Sequence, residues 1–434
     1  MKKAAFLASM FALTTFFSGP AQAQEPDVPS KIEVGVQFSS LTFPEQIFPG
    51  SATFGRGSTE AGFGGRFTFN LNKHIALEAE GNFFPHENFN DFTRSGRLLQ
   101  GQFGLKAGKR FGKFGVFAKA RPGFASFSKA LAQIGTATII DPNGLPFTYA
   151  VFGERRKTHF SMDLGGVLEF YPSRKVLTRI DIGDTIIHYG SDSFFPSSLP
   201  PLPTSRTVHN LQISAGIGYR FGSLQPEDAS PEAHDEKLKR FEAGAQFSSL
   251  GLRQIERFSF GFPLTISEFR DTITQAGFGG RLTYNLTPNF ALEIQGDFYP
   301  KGLPYVNNGR AGGRILQEQG GVKAGKRWDK FGVFAKARPG VISFSGAVEI
   351  DFDPTLGFPT FRPVRRNYFS MDLGGVLEFY PSRRIVTRFD GGDTMIHYRS
   401  IDNPIVFFPA VQTFHTAAET THNFQFSAGV GFRF

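Results

Sequence analysis

Short segments of the chain alternate between apolar and polar residues, which is the pattern of a β-strand with two unlike faces. The clearest case is 211–221, where one face carries Leu211, Ile213, Ala215, Ile217, Tyr219 and Phe221 and the other Gln212, Ser214, Gly216, Gly218 and Arg220. Similar alternation occurs over 32–39, 63–71, 75–83, 98–109, 114–121, 160–170 and 176–182, and again in the second half. The pattern predicts an all-β fold with eight strands in each half.

The second half of the chain repeats the first. FSMDLGGVLEFYPSR at 160–174 recurs unchanged at 369–383, and AGFGGRFTFNL at 61–71 returns as AGFGGRLTYNL at 276–286. The offset between the copies changes only within 42–60, 86–97, 129–157 and 190–208, whereas the connections at 70–74, 110–113 and 171–174 keep their length. Variable and fixed connections therefore alternate, as long loops and tight turns do in a transmembrane, antiparallel up-and-down β-barrel. We expect a tandem repeat of an eight-stranded barrel.

The start and the middle of the chain suggest the domain boundaries. Lys2 and Lys3 precede an apolar stretch at 4–17, and an A-x-A cleavage site follows at 21–23, which is typical of a secretory signal peptide. Residues 222–239 hold QPEDASPEAHDEK, whose prolines and charges favour a flexible periplasmic linker. We expect a signal peptide at 1–23, barrel repeats at 31–222 and 240–434, and a linker at 223–239.

Composition removes several classes of protein. The chain contains no cysteine, which excludes disulfides, thiolate metal sites and cysteine nucleophiles. Mean hydropathy is −0.18, and no long apolar segment follows the first 23 residues, so a helical membrane protein is excluded. A barrel can be polar on average and still span a membrane, because only alternate residues face lipid. The net charge of +9 is scattered along the chain, so we expect no nucleic-acid partner.

Charged residues of both signs occur on the polar faces of the predicted strands. An eight-stranded barrel is just wide enough for side chains to fill it, and charges buried there must pair. We therefore expect the apolar faces to contact outer-membrane lipid, while a narrow ion path through the interior stays open as an alternative. The predicted interior ion-pair network consists of Glu78, Glu80, Lys106, Lys119, Arg121, Asp163, Glu169, Arg179 and Asp181.

The end of the chain matches the pattern polar-x-Gly-x-x-aromatic-x-Phe at Ser427, Gly429, Phe432 and Phe434. This pattern resembles the C-terminal β-signal that the barrel-assembly machinery reads in outer-membrane proteins. The first half closes on the same pattern at Ser214, Gly216, Tyr219 and Phe221. Each half resembles the small eight-stranded barrels of the OmpA/OmpX and opacity-protein kind. The resemblance implies a location in the outer membrane of a Gram-negative-type envelope, with the assembly machinery as a partner during biogenesis.

Such proteins mostly carry a single barrel, so the repeat leaves two architectures open. One sixteen-stranded barrel needs a short turn between strands eight and nine. The charged linker and the internal closing pattern favour two eight-stranded barrels instead. For two barrels we expect a structural or adhesin-like role, with an unknown surface ligand at the extracellular loops. A sixteen-stranded barrel would be a porin for passive diffusion of small solutes.

Candidate chemistry is sparse. His188 and His209 lie at the two ends of the fourth variable loop, and His397 and His422 repeat the arrangement. No third ligand occurs at a recognisable spacing, and the H-E-x-x-H motif is absent. We expect no metal and no cofactor.

An outer-membrane lipid-modifying enzyme is a less favoured alternative. It requires a nucleophile with a positioned base, and Ser161 near His159 is the nearest candidate. The second copy has Tyr368 in place of the histidine, so we expect no catalytic residue.

Two features are predicted for the barrel ends. Tyr171 and Tyr380 stand beside tight turns, where their rings are expected to anchor the barrels at the headgroup level. NFNDF at 88–92 and FDPTLGFPTFRP at 352–363 are expected in long loops that contact a partner or cover the barrel mouth.

Overall fold

The computed structural model describes residues 30–44, 57–91, 94–140, 146–190, 205–221, 239–260, 265–307, 309–353, 358–407 and 410–434. The predicted signal peptide at 1–23 and nearly all of the predicted linker at 223–239 lie outside these residues. In the described part of the chain, all assigned elements of regular secondary structure are β-strands. Among the same residues, no helix is long and apolar enough to cross a membrane.

The first eight strands form a closed antiparallel barrel, which we call the first barrel. Each strand pairs with the next, and β8 also pairs with β1 in one continuous ladder from Ile32↔Phe221 to Thr42↔Leu211. The strands are β1 (Ile32–Thr42), β2 (Thr59–Asn70), β3 (Ile75–Asp91), β4 (Arg94–Phe111), β5 (Phe114–Ile140), β6 (Pro146–Phe170), β7 (Val176–Tyr189) and β8 (Arg206–Phe221).

Eight of the remaining strands close in the same way into the second barrel. They are β9 (Phe241–Phe260), β10 (Thr265–Asn285), β11 (Phe290–Val306), β12 (Ala311–Arg327), β13 (Phe331–Asp353), β14 (Phe358–Phe379), β15 (Ile385–Tyr398) and β18 (Glu419–Arg433). Strand β18 closes onto β9, from Gln425↔Leu250 to Arg433↔Glu242. Strands β16 (Ile401–Phe407) and β17 (Ala410–Thr416) form a separate hairpin between β15 and β18.

The fold is therefore two eight-stranded barrels, as predicted, and the alternative of one sixteen-stranded barrel is wrong. A single barrel would require β8 to pair with β9. Instead β8 lies between β7 and β1, and β9 lies between β18 and β10. Each half closes its own sheet, and the two sheets share a single backbone bridge, between Thr59 of β2 and Thr274 of β10.

The faces of the strands point as the alternation predicts. In β8, Leu211 and Tyr219 point outward and are exposed, whereas Gln212 and Ser214 point inward and are buried. Phe63, Phe103 and Phe160 on other strands are 58–60% exposed on the outer surface. Large apolar side chains outside and polar ones inside are the arrangement of a barrel that spans a membrane.

The two ends of each barrel differ. At the turn end the first barrel has the short connections 71–74, 112–113 and 171–175, which confirms the three fixed turns. At the opposite end, the hairpin end, β3 and β4 stay paired up to Asp91↔Arg94, and β5 and β6 up to Ile140↔Pro146.

The loop prediction for 86–97, 129–157 and 352–363 was therefore wrong, because most of these residues are in strands. A spanning strand needs only about 9–11 residues, and beyond the membrane a hairpin can lengthen on both strands without losing its ladder. Length differences between the copies are tolerated in such a hairpin as they are in a loop.

Candidate functional site

All nine residues predicted for the interior network meet inside the first barrel, in the half nearer the turn end. Each is at most 5% exposed. They come from five strands, β3 to β7, and reach the same space because each lies on the inner face of its strand. The structure therefore brings the nine predicted residues together in one buried space.

Arg121 on β5 occupies the centre of this network. Its Nε donates a hydrogen bond to Asp163 Oδ2 over 3.0 Å, and its Nη2 lies 2.5 Å from the same oxygen. Its Nη1 donates to Glu80. Lys119, two residues earlier on the same face, places Nζ 2.8 Å from Asp163 Oδ2. One carboxylate thus receives two cations, and one guanidinium joins carboxylates of β3 and β6.

Arg179 on β7 forms a second centre nearer the turn end. Its Nη2 donates to Glu78 Oε2 over 2.9 Å and to Asp181 Oδ2 over 2.8 Å. Lys106 places Nζ 2.5 Å from Glu169 Oε1 and 3.5 Å from Glu78 Oε1. Because each buried ion costs several kcal/mol to desolvate, the charges are stable in this space only as a mutually paired set.

The network contains more charged residues than the nine predicted from the sequence. Glu33 on β1 lies 3.4 Å from Arg220 Nε and 3.7 Å from Arg110 Nη2. Arg66 on β2 donates from Nη1 to Gln37 Oε1 over 3.0 Å. Period-two parity could have identified all four charged residues, because Arg220 was already placed on a polar face and Glu33, Arg66 and Arg110 follow the same alternation.

Tyr171 belongs to this network and does not anchor the barrel to headgroups, so that prediction was wrong. It is 6% exposed, and its hydroxyl donates to Glu169 Oε2 over 2.8 Å. The Arg220 guanidinium lies 4.9 Å from its ring centroid. The backbone N–H of Tyr171 still bonds to Lys113 O across the sheet, so the strand geometry continues and the side chain points inward like that of Glu169. Tyr380 donates to Glu378 in the same way.

The second barrel holds an equivalent network. Its buried members at equivalent positions are Glu293, Lys323, Lys336, Arg338, Asp372, Glu378, Arg388 and Asp390. The distances repeat those of the first barrel: Arg338 Nε to Asp372 Oδ2 is 3.0 Å, and Lys323 Nζ to Glu378 Oε1 is 2.5 Å.

One exchange distinguishes the two networks. The first barrel has Glu80 and Asn82 where the second has Gln295 and Asp297. In the first, Asn82 Nδ2 donates to Glu80 Oε1 over 2.8 Å; in the second, Gln295 Nε2 donates to Asp297 Oδ2 over 2.6 Å. The carboxylate therefore occupies the first of the two positions in the first barrel and the second position in the second barrel, and the amide occupies the other. Each barrel keeps one carboxylate and one amide at these two positions.

Uncharged polar side chains fill the middle of each barrel. In the first, Gln100 Nε2 donates to Gln212 Oε1 over 2.9 Å, and Thr185 Oγ1 donates to the same oxygen over 2.6 Å. In the second, Gln317 Nε2 donates to Gln425 Oε1 over 3.1 Å. The Gln100–Gln212 and Gln317–Gln425 bonds join strands that are not neighbours, so the lumen is bridged at this level.

Apolar side chains fill the interior toward the hairpin end. The cluster in the first barrel is Leu41, Phe43, Phe84, Leu98, Ala125, Phe127, Ala130, Ile187, Tyr189 and Val208. His159 packs on it, with its ring centroid 4.7 Å from that of Tyr189. Ser161, the other residue of the candidate enzyme pair, is fully buried. A substrate at the membrane surface would reach neither residue, because both are enclosed in the barrel.

The two closing patterns divide between the faces of their strands. Ser214 and Gly216 point inward, and Tyr219 and Phe221 lie outside with ring centroids 4.8 Å apart. Ser427, Gly429, Phe432 and Phe434 repeat this arrangement, with the two rings 5.1 Å apart. The outer aromatic pairs lie at the turn end of the lipid-facing surface.

Comparison with known proteins supplies the family. Residues 9–221 match the family described as "Outer membrane protein beta-barrel domain". The protein is an outer-membrane β-barrel protein. The matched segment covers the first barrel and ends at the last residue of β8.

Solved structures of outer-membrane barrels resemble the chain weakly. Neisserial surface protein A is 12% identical with a TM-score of 0.28, and the match covers 45% of this chain and 100% of that one. The N-terminal β-barrel domain of Pseudomonas aeruginosa OprF is 12% identical with a TM-score of 0.22, covering 44% and 97%. A Pseudomonas aeruginosa FadL homologue is 10% identical with a TM-score of 0.25, covering 92% and 89%. No curated protein matches the chain. These low scores say nothing about function.

The histidines noted in the sequence lie on the outer surface of this outer-membrane protein. His209 Nδ1 lies 2.5 Å from Asp184 Oδ2, and His188 Nδ1 lies 3.0 Å from Thr207 Oγ1. His422 and Asp393 repeat the first contact in the second barrel. Within the described residues, no group of three or more metal-ligating side chains occurs.

The hairpin ends carry the most exposed apolar residues outside the lipid-facing bands. On the β5–β6 hairpin, Ile134, Ile139 and Ile140 are 49%, 51% and 74% exposed. The β13–β14 hairpin is held by an ion pair between Glu349 and Arg362, which face each other across the two strands. The hydrogen bond from Arg362 lowers the pKa of the Glu349 carboxyl.

Proposed function

We propose that this outer-membrane protein is a pair of non-conducting barrels that display extracellular hairpins for contact with a surface. The observation that carries the proposal is the contrast between filled interiors and long protruding hairpins. Outer-membrane barrels place their short turns in the periplasm, so the hairpin ends face outward from the cell.

The filled interiors argue against a porin. Each lumen is crossed in turn by an ion-pair network, a layer of amides and hydroxyls, and an apolar cluster, which in the second barrel includes Leu250, Tyr299 and Phe344. An eight-stranded barrel has room for side chains but not for an aqueous channel in addition. A narrow ion path would need the charged residues to be solvated, whereas Arg121 and Asp163 are fully buried.

The hairpins support a contact role. Strands β5 and β6 have 27 and 25 residues, well over twice the roughly 9–11 that cross a membrane. The part farthest from the membrane exposes isoleucines, and exposed apolar groups of this kind mark sites of contact with a partner or a surface. We propose that the exposed isoleucines of the hairpin bind an apolar or amphipathic surface.

The test uses cells that produce the full chain. One variant replaces residues 132–152 by a short turn, which removes the ladder beyond Leu131↔Glu154. The matched variant keeps the hairpin and changes Ile134, Ile139 and Ile140 to threonine, a residue that also favours strands. We expect both variants to assemble normally and both to lower the adherence of cells to hydrocarbon droplets. Equal adherence of both variants and the parent, at equal surface amounts, would refute the proposal.

A further inference from the structure

On four adjacent strands of the first barrel, one outward-facing residue each is at most 3% exposed, although other outward-facing residues of these strands are exposed to lipid. They are Thr178 on β7, Ala215 on β8, Ser40 on β1 and Thr59 on β2, and each is 1–3% exposed. All four are small. We call this row the seam of the first barrel.

The seam runs along the axis of the barrel. Thr178 pairs with Ile217, and the seam continues two residues nearer the hairpin end, at Ala215. Ala215 pairs with Phe38, and the seam continues at Ser40, again two residues on. The step from Ser40 to Thr59 is the same. Each step of the seam moves to the next strand and two residues toward the hairpin end. In a barrel whose strands tilt by about 35–45°, such a step runs nearly parallel to the barrel axis. Two barrels that lie side by side with parallel axes touch along a line of this direction.

The second barrel has the same seam at equivalent positions. Its residues are Thr387, Ala428, Ser249 and Thr274, which are 2–8% exposed. Thr387 follows Thr178 by 209 residues, the offset of the unchanged segment 160–174, and Thr274 follows Thr59 by 215, the offset of 61–71. The two seams are in contact, since Thr178 Oγ1 lies 3.0 Å from Thr387 Oγ1 and Thr59 forms a backbone bridge with Thr274.

Equivalent residues therefore meet each other at both ends of the seam. A surface that contacts its own equivalent in this way is isologous, the geometry of a two-fold dimer. At the hairpin end, His86 and Lys301 also occupy equivalent positions, after FFP and FYP. His86 Nε2 lies 2.9 Å from Asp271 Oδ1 of the second barrel, and Lys301 Nζ donates to Phe43 O of the first over 3.3 Å.

We infer that the seam is a self-complementary docking surface, and that its partner is a second barrel with the same row of small residues. Lipid is as apolar as the outer side chains, so the hydrophobic effect does not drive two barrels together within a membrane. Small side chains let the two backbones approach closely, and the resulting van der Waals packing stabilises the contact. Flanking rings fill the space beside the seam, as where Phe38 stacks on Phe426 with centroids 4.2 Å apart. Because each barrel offers one seam and the other barrel occupies it, the chain is a closed pair.

The cysteine-free chain allows a direct test. A protease site is placed within 223–238 of the full chain, and cysteines are introduced in pairs. Thr178→Cys with Thr387→Cys tests the turn end of the seam, and Thr59→Cys with Thr274→Cys tests the hairpin end. The control, Phe160→Cys with Phe369→Cys, also joins equivalent positions, but both are more than half exposed to lipid. The folded protein is oxidised, cut at the linker and run with and without reductant.

Both seam pairs are expected to hold the two fragments together until reductant is added, while the control pair releases them in both lanes. The single variant Thr178→Cys is expected to give no disulfide-linked pair of chains, because its seam is occupied within the chain. Failure of either seam pair to link, equal linking of the control pair, or ready linking of two single-variant chains would each overturn the inference.

Discussion

The exchange of a carboxylate and an amide between the barrels gives a quantitative test of the interior network. Glu80 accepts a hydrogen bond from the guanidinium of Arg121 and another from Asn82. Changing Glu80 to Gln keeps the shape but removes the charge. The second barrel has Gln295 at the position equivalent to Glu80, and its carboxylate lies two residues later, at Asp297. We therefore expect Glu80→Gln alone to lower the stability of the first barrel, and Asn82→Asp to restore most of that loss when the two changes are combined.

The magnitude follows from the bonds involved. A hydrogen bond to a charged group contributes roughly 1.5–3 kcal/mol and a neutral one about 0.5–1.5, so Glu80→Gln should lower the free energy of unfolding by about 1–2 kcal/mol. Adding Asn82→Asp returns a carboxylate to the same face, where Gln37 already donates to position 82 over 2.9 Å. Contacting residues commonly couple by about 0.5–3 kcal/mol, and we expect at least 1 kcal/mol of the loss to be recovered.

The assay must report on the first barrel alone. The single tryptophan, Trp328, lies in the second barrel, so it is changed to Phe, and Phe160→Trp places a reporter on the lipid-facing surface of the first. Unfolding in urea from lipid vesicles is then followed by fluorescence for the parent, both single variants and the double variant. A double variant whose loss equals the sum of the two single losses would refute the reasoning, since it would mean that positions 80 and 82 do not share one charge.

Three further changes test other parts of the account. Tyr171→Phe removes a hydroxyl that donates to a buried carboxylate and should cost about 1–2 kcal/mol of unfolding free energy in the same assay, while Tyr219→Phe on the lipid side should cost almost nothing. Gly183→Val places a Cβ about 2.7 Å from a network carboxylate oxygen and should cost about 1–3 kcal/mol by overpacking, whereas Gly190→Val, with open space around it, should be neutral. Phe434→Ser should slow the appearance of folded protein in the membrane, measured by heat-modifiable mobility in pulse-chase samples; an unchanged rate would argue against a closing pattern read during assembly.

Period-two alternation was sufficient to predict the interior because it is a local property of each strand. Glu78 and Arg179 are 101 residues apart, yet parity alone puts both inside. The same rule applied one residue past a strand would have placed Tyr171 inside. Its position in a turn motif suggested a headgroup anchor instead. The backbone hydrogen bond from Tyr171 to Lys113 continues the strand pairing, and the side chain therefore points into the barrel.

Other features depend on contacts that no local pattern records. Thr178 has outward parity, so the sequence predicts lipid contact for it, but it is buried and contacts Thr387 of the neighbouring barrel. The two copies differ in length at 129–157, which shows that the segment varies. A loop and a hairpin that lengthens equally on both strands produce the same length difference, so the sequence does not distinguish them. Whether β8 pairs with β1 or with β9 depends on the closure of a sheet, which joins residues 189 apart, as in Ile32↔Phe221.

The central claim is that each barrel is closed and filled, and single-channel recording in a planar bilayer tests it most directly. The purified full chain is inserted at a protein amount that gives steady steps with a sixteen-stranded porin. We predict no stable conductance steps from insertions verified by protease protection. Regular, steady currents of porin size from the folded protein would contradict the filled interiors and, with them, the proposed role.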